Sequence, residues 1–130
     1  MTKSTLAEFV VLASSAERIN GDTPEGAGRK DQFHRQGRAI LVEIAKLLGL
    51  KRGTFEIWSN KAGVAVCGEV TLHAEWLYLQ LSGHPDRGAL YRSCKGRQDY
   101  TGGTNLWLPW QQLLDLPTAA EILRAVQEGS

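Results

Sequence analysis

The sequence predicts an α+β fold: helices near both ends of a single domain, and between them an antiparallel three- to four-stranded meander packed against those helices. Three observations carry this. Apolar residues recur at helical spacing up to residue 48, they alternate with period two from residue 64 to residue 81, and a helical pattern led by a proline closes the chain. The 130 residues suffice for one domain with a hydrophobic core and are too few for two.

Taken in order, "TLAEFVVLASSAERI" reads as a first helix. Thr5 and Glu8 are spaced as a capping box, and Leu6, Phe9, Val10 and Ala13 share a face. "NGDTPEGAG" is rich in breaker residues and reads as a loop. A longer helix is expected from about Lys30 to Leu48, with Phe33, Gly37, Ile40, Leu41, Ile44, Leu47 and Leu48 on one stripe and Gly49 ending it. His34 falls on the polar side of that helix and is expected at the surface. "TFEIWSN" is rich in aromatic and branched residues, as strands are, and "KAG" is a turn. "VAVCGEVTLHA" alternates, with Val64, Val66, Val70 and Leu72 on one face and Ala65, Cys67, Glu69, Thr71 and His73 on the other. In "EWLYLQLSG", Leu77, Leu79 and Leu81 oppose Trp76, Tyr78 and Gln80. "HPDRG" is a turn, "ALYRSCKGR" a fourth strand and "DYTGGTN" a loop. "LWLPWQQLLDL" is partly helical, and "PTAAEILRAVQEG" is a closing helix with Thr118 and Glu121 as a second capping box.

Apolar residues make up 42% and charged residues 22% of the chain, an ordinary globular balance. Charge breaks every apolar run well before the roughly 20 residues of a membrane span. Glu8 interrupts the apolar N-terminal part, which argues against an export signal, so a cytoplasmic protein without membrane contact is expected. Cys67 and Cys94 lie in no C-x-x-C pair, and with three scattered histidines no metal-ligand spacing exists. They read as two small thiols in a reducing compartment. The net charge of +1 hides a pattern: residues 1–28 carry net −2, residues 29–97 net +6, and residues 98–130 net −3. A basic middle between acidic ends points to an anionic partner, or to acidic ends folded back on the middle.

The segment "EIAKLLGLKRGTFEIWSN" also admits a helix, a turn and a second helix. Ala45 is the small residue, Gly49 the turn residue, Leu50 the apolar residue after it, and Phe55 and Trp58 the braces. These spacings resemble the helix-turn-helix family of bacterial and phage repressors over residues 43–60, which implies a DNA-binding regulator. Against it, Gly53 would cost about 1 kcal/mol in the first turn of the recognition helix, and Glu56 would face phosphates. The strand reading is the stronger, and the DNA-binding regulator stays as the alternative.

"RSCKGRQDYTGGTN" is the candidate site. Arg92, Lys95 and Arg97 are closely spaced, Tyr100 follows, and Gly96, Gly102 and Gly103 let the backbone bend toward a ligand. Such a set suits a phosphate or a single-stranded nucleic acid. Lys51 and Arg52 add a second basic pair. No Walker A or G-x-G-x-x-G motif occurs, and no cofactor or metal is expected. A third reading is a small cysteine-dependent enzyme, with Cys94 activated beside the basic loop, His73 or His84 as base and Asp99 as orienting group. No catalytic residue is assigned on spacing alone.

"GEVTLHAEWLYLQLSG" and "YRSCKGRQDYTGG" resemble segments of small proteins carried by phages and plasmids. The resemblance implies a mobile-element accessory protein, a group that includes inhibitors of host defence such as anti-CRISPR proteins. It implies a non-enzymatic binding protein whose partner is a host protein or ribonucleoprotein with an acidic surface, bound by occupying a nucleic-acid or protein site.

Overall fold

Thr2 starts the first helix: its hydroxyl accepts from the Thr5 N–H at 3.2 Å. The expected capping residue Thr5 therefore lies one turn inside, and Glu8 accepts from Gln36 Nε2 instead, at 3.2 Å. The computed structural model describes residues 2–15, 20–61, 67–83, 87–99 and 103–128. Its elements are α1 (Lys3–Ser15), α2 (Pro24–Leu47), β1 (Phe55–Asn60), β2 (Glu69–Ala74), β3 (Leu77–Leu81), β4 (Ala89–Ser93), β5 (Leu106–Leu108), a 3-10 helix (Trp110–Leu114) and α3 (Leu116–Glu128). No helix among the described residues is long and apolar enough to cross a membrane.

α2 begins six residues before the expected Lys30. Thr23 caps it by accepting from the Gly26 N–H at 3.0 Å, and Pro24 occupies the first turn. The glycines of "PEGAG" are thus helical. Gly26 serves a close approach, since a Cβ there would lie 1.8 Å from the Asn20 carbonyl oxygen. The other end follows expectation. Gly49 has φ +71°, its N–H donates to the Lys46 carbonyl, and the Leu50 N–H donates to that of Ala45.

Phe55–Asn60 is a strand, so the second helix of the repressor-like reading is not the structure found. The five strands follow one another in the order β1-β2-β3-β4-β5, each pair antiparallel. The fifth, beyond the three or four expected, is three residues long, with Leu108 opposite Ala89. Val64, Ala65, Val66, His84, Asp86, Tyr100 and Gly102 lie outside the described residues.

Alternation then decides the two faces. Val70, Leu72, Leu77, Leu79 and Leu81 are fully buried in one core with Phe33, Ile40, Leu41 and Ile44 of α2. A Cβ on Gly37 would be 3.3 Å from Val70 and 3.5 Å from the Phe9 ring, so the helix runs close over the sheet. α1 joins through Phe9, whose ring stacks on Phe33 at 4.9 Å and meets the edge of Trp110 at 6.1 Å. Before α3, Asp115 Oδ1 accepts from the Thr118 N–H at 3.3 Å, so Asp115 takes the capping role expected of Thr118. Arg124 of α3 donates to the Leu47 carbonyl at 2.6 Å, at the C-terminal end of α2.

A polar seam pins β1 to α2. Arg38 donates to the Ile57 carbonyl at 3.3 Å and to Ser59 Oγ at 3.1 Å. Lys30 donates to the Lys61 carbonyl at 2.9 Å, and Lys61 pairs with Asp31 at 3.1 Å. His34 also differs from expectation. It is 2% exposed, and its Nε2–H donates to the Cys67 carbonyl at 2.5 Å, because the chain entering β2 passes over that side of the helix.

Candidate binding face

The helices pack on one side of the sheet, so the other side is left to the side chains that alternate away from the core. Strand pairing aligns them in two rows. One runs Trp58, Thr71, Gln80, Leu90, Trp107 across all five strands, and the next runs Glu56, His73, Tyr78, Arg92 across four. A groove of about 490 Å³ lies over these rows, with Trp58, Tyr78, Leu90, Arg92 and Asn105 in its lining.

Its polar groups are tied together. Tyr78 donates to Gln80 Oε1 at 2.7 Å, and Gln80 donates to Ser82 at 3.2 Å. Arg92 donates to Asn105 Oδ1 at 3.0 Å. Thr71 Oγ1 and His73 Nε2 are hydrogen-bonded at 2.7 Å. Both are buried although they point away from the core, because the Trp58 ring lies over His73 with centroids 4.2 Å apart and Tyr78 meets its edge at 5.4 Å. Trp58 itself stays 47% exposed. At the far side of the sheet the Arg87 guanidinium stands 5.2 Å from the Trp107 ring centre.

The basic residues singled out from sequence separate into two groups. β4 ends at Ser93, so Arg92 belongs to the open face, while Lys95 and Arg97 lie in a tight turn beyond it, held by the Lys95 N–H on the Asp99 carbonyl at 3.1 Å. Arg97 then reaches back across the end of the sheet. It pairs with Glu75 at 3.5 Å and donates to the Gly53 carbonyl at 3.0 Å. That bond brings the 94–99 turn against the 51–54 loop, so Lys51, Arg52, Lys95 and Arg97, distant in sequence, lie along one rim. Lys51, Arg52 and Lys95 are exposed and form no ion pair with the described residues.

Cys94 departs from its expected activation. Its thiol donates to the Ala74 carbonyl at 3.4 Å, and burial pushes its pKa up, outweighing the nearby Arg92. His73 is bonded to Thr71. Cys67, 3% exposed, is pushed up to about 12 by burial. Both cysteines are free thiols. No group of His, Cys, Asp and Glu among the described residues could hold a metal ion.

No family model, curated protein or solved structure matches this chain. The face must therefore be read from its own chemistry. Sequence reasoning passed over Trp58, Gln80, Leu90 and Trp107 as site residues. The available signal was that Trp58 and Tyr78 fall in expected strands, at positions where a merely solvated face carries Lys, Glu or Thr; Trp107 had none, since its strand was not expected.

The two histidines set an acid limit. Burial lowers the pKa of each below 6.5. For His34 the Cys67 bond opposes this while Lys61 and Lys30 add to it, and for His73 the Glu56 carboxylate and a backbone bond with Arg97 oppose it. Below 6.5 the unfolded chain binds more protons than the folded one. Stability is therefore greatest above that pH and falls as pH drops toward the lowered folded values, by at most about 1.4 kcal/mol per pH unit for each group. Urea midpoints at about pH 7.5 and about pH 5 should differ accordingly. His34→Gln, which keeps a donor for the Cys67 carbonyl but does not titrate, should flatten the difference. An unchanged pH slope in that variant would exclude His34 as a source.

Proposed function

We propose that this chain is a non-enzymatic binding protein that meets an anionic partner through its basic rim and the open sheet face beside it. The observation that carries this is the Arg97 bridge to Gly53, which gathers cations from two separate loops at one end of the sheet. Exposed cations without an internal partner add little to folding, so they are available to steer and hold a negatively charged surface. The resemblance to small phage and plasmid proteins makes a host-defence protein or ribonucleoprotein the partner class to test first. Occupying such a partner's nucleic-acid or protein site would make the chain an inhibitor of the anti-CRISPR kind. The neutral, hydrogen-bonded Cys94 thiol gives no support to a cysteine enzyme.

The test is capture from a bacterial host lysate with and without nuclease. Lys51→Ala, Arg52→Ala and Lys95→Ala combined should abolish capture and leave the thermal midpoint unchanged. Arg97→Ala should behave differently: losing the contacts to Glu75 and Gly53 should lower the midpoint, since about 1 kcal/mol moves a domain of this size by a few degrees. Full capture by the triple variant would reject the rim as the site.

A further inference from the structure

We propose, building on the binding role above, that the open face of the sheet is a stacking platform for single-stranded nucleic acid. The longer row begins and ends in tryptophan, with Leu90 and the Gln80 amide between them. Five adjacent strands place the two indoles about 19 Å apart. The second row, about 7 Å along the strands, brings the Tyr78 ring and the Arg92 guanidinium. Aromatic faces at such intervals take unstacked bases of any sequence, and a duplex keeps its bases out of their reach.

The rest of the face fits that occupant. Side-chain amides of Asn60, Gln80 and Asn105 line the groove, where base edges need donors and acceptors. A protein partner would call for a dry apolar centre, and the middle of this face holds Thr71, His73 and Gln80. Charge orients the strand. The carboxylates of this face, Glu56 and Glu69, are on β1 and β2, whereas Arg87 and Arg92 stand at and on β4. The phosphates therefore run over the β4–β5 side and out along the rim of Lys51, Arg52 and Lys95, with the bases turned toward Trp58.

The experiment is fluorescence anisotropy of the full chain with fluorescein-labelled hexauridylate and hexathymidylate, at about 50 mM and about 200 mM salt. Binding of either hexamer, quenching tryptophan emission and weakening with salt, supports the platform. Trp58→Ala should weaken binding by about tenfold or more with little change in salt dependence, and Trp58→Phe should restore most of it. The Lys51, Arg52 and Lys95 triple change should instead reduce the salt slope. Trp107→Ala provides the same reading should Trp58→Ala disturb the His73 stack.

No binding of either hexamer, tighter binding of a duplex of the same length, or wild-type affinity in both tryptophan variants overturns the proposal. A nuclease-resistant host protein captured by the wild type and lost in Trp58→Ala would assign the face to protein and also overturn it. Lysate capture that depends on the rim while the hexamers fail would remove the platform and leave the binding role standing. Capture that ignores the rim would remove that role.

Discussion

Phe9→Ala is expected to lower the free energy of unfolding by about 3–5 kcal/mol, a large share of what a domain of this size holds. Phe9 has no solvent exposure, and its ring touches Phe33 of α2 and Trp110 of the 3-10 helix. With Leu6, Leu12 and Ala13, buried in the same core, it fixes α1 to the rest of the molecule. The neighbours cannot close the gap, because Gly37 already lets α2 lie close over Val70. Urea unfolding followed by tryptophan fluorescence gives the measurement. Val11→Ala on the same helix, where the side chain is 66% exposed, should change little. A Phe9→Ala variant within about 1 kcal/mol of wild type would mean that α1 is not docked as described.

The second large effect is at Gly68, which leads into β2 with φ +56°. An added Cβ would lie 2.1 Å from the Asn60 carbonyl oxygen and 3.3 Å from His34 Nε2. The left-handed backbone alone costs about 1–2 kcal/mol, and relieving a clash against backbone adds a comparable amount. Gly68→Ala should thus lose about 2–4 kcal/mol and loosen the His34 bond to the Cys67 carbonyl. Gly49→Ala separates the two causes. Its φ is +71° but nothing lies within 4 Å of the new atom, so only the conformational cost of about 1–2 kcal/mol should remain. Equal losses at both positions would refute the clash at Gly68.

Where one period dominated locally, the chain could be read directly. The leucines of β3 and the Val70–Leu72 pair gave both the strands and their buried face. Gly49 gave the end of α2, since a residue with positive φ leaves a chemical mark. The start of α2 was hidden because Pro24, Gly26 and Gly28 are breakers inside a helix but harmless in or near its first turn. β5 was hidden because three residues are too few for alternation to register. The burial of His34 depends on the chain around Cys67, 33 residues away, and no helical wheel contains that contact. The site shows the same division. The basic residues were visible as charges, but the bond that draws Arg97 to Gly53 spans 44 residues and was not.

The seam between α2 and β1 has a further consequence. An open sheet has two outer strands whose backbone can template another chain, and a long, bare one invites polymerisation. Here β5 offers only three residues, and β1 is held by Arg38 at Ile57 and Ser59, with Lys30 on the Lys61 carbonyl just past its end. Lateral growth of the sheet is thereby discouraged at both margins. The aromatic face of the sheet is thus flanked by margins that offer little free backbone to a second strand.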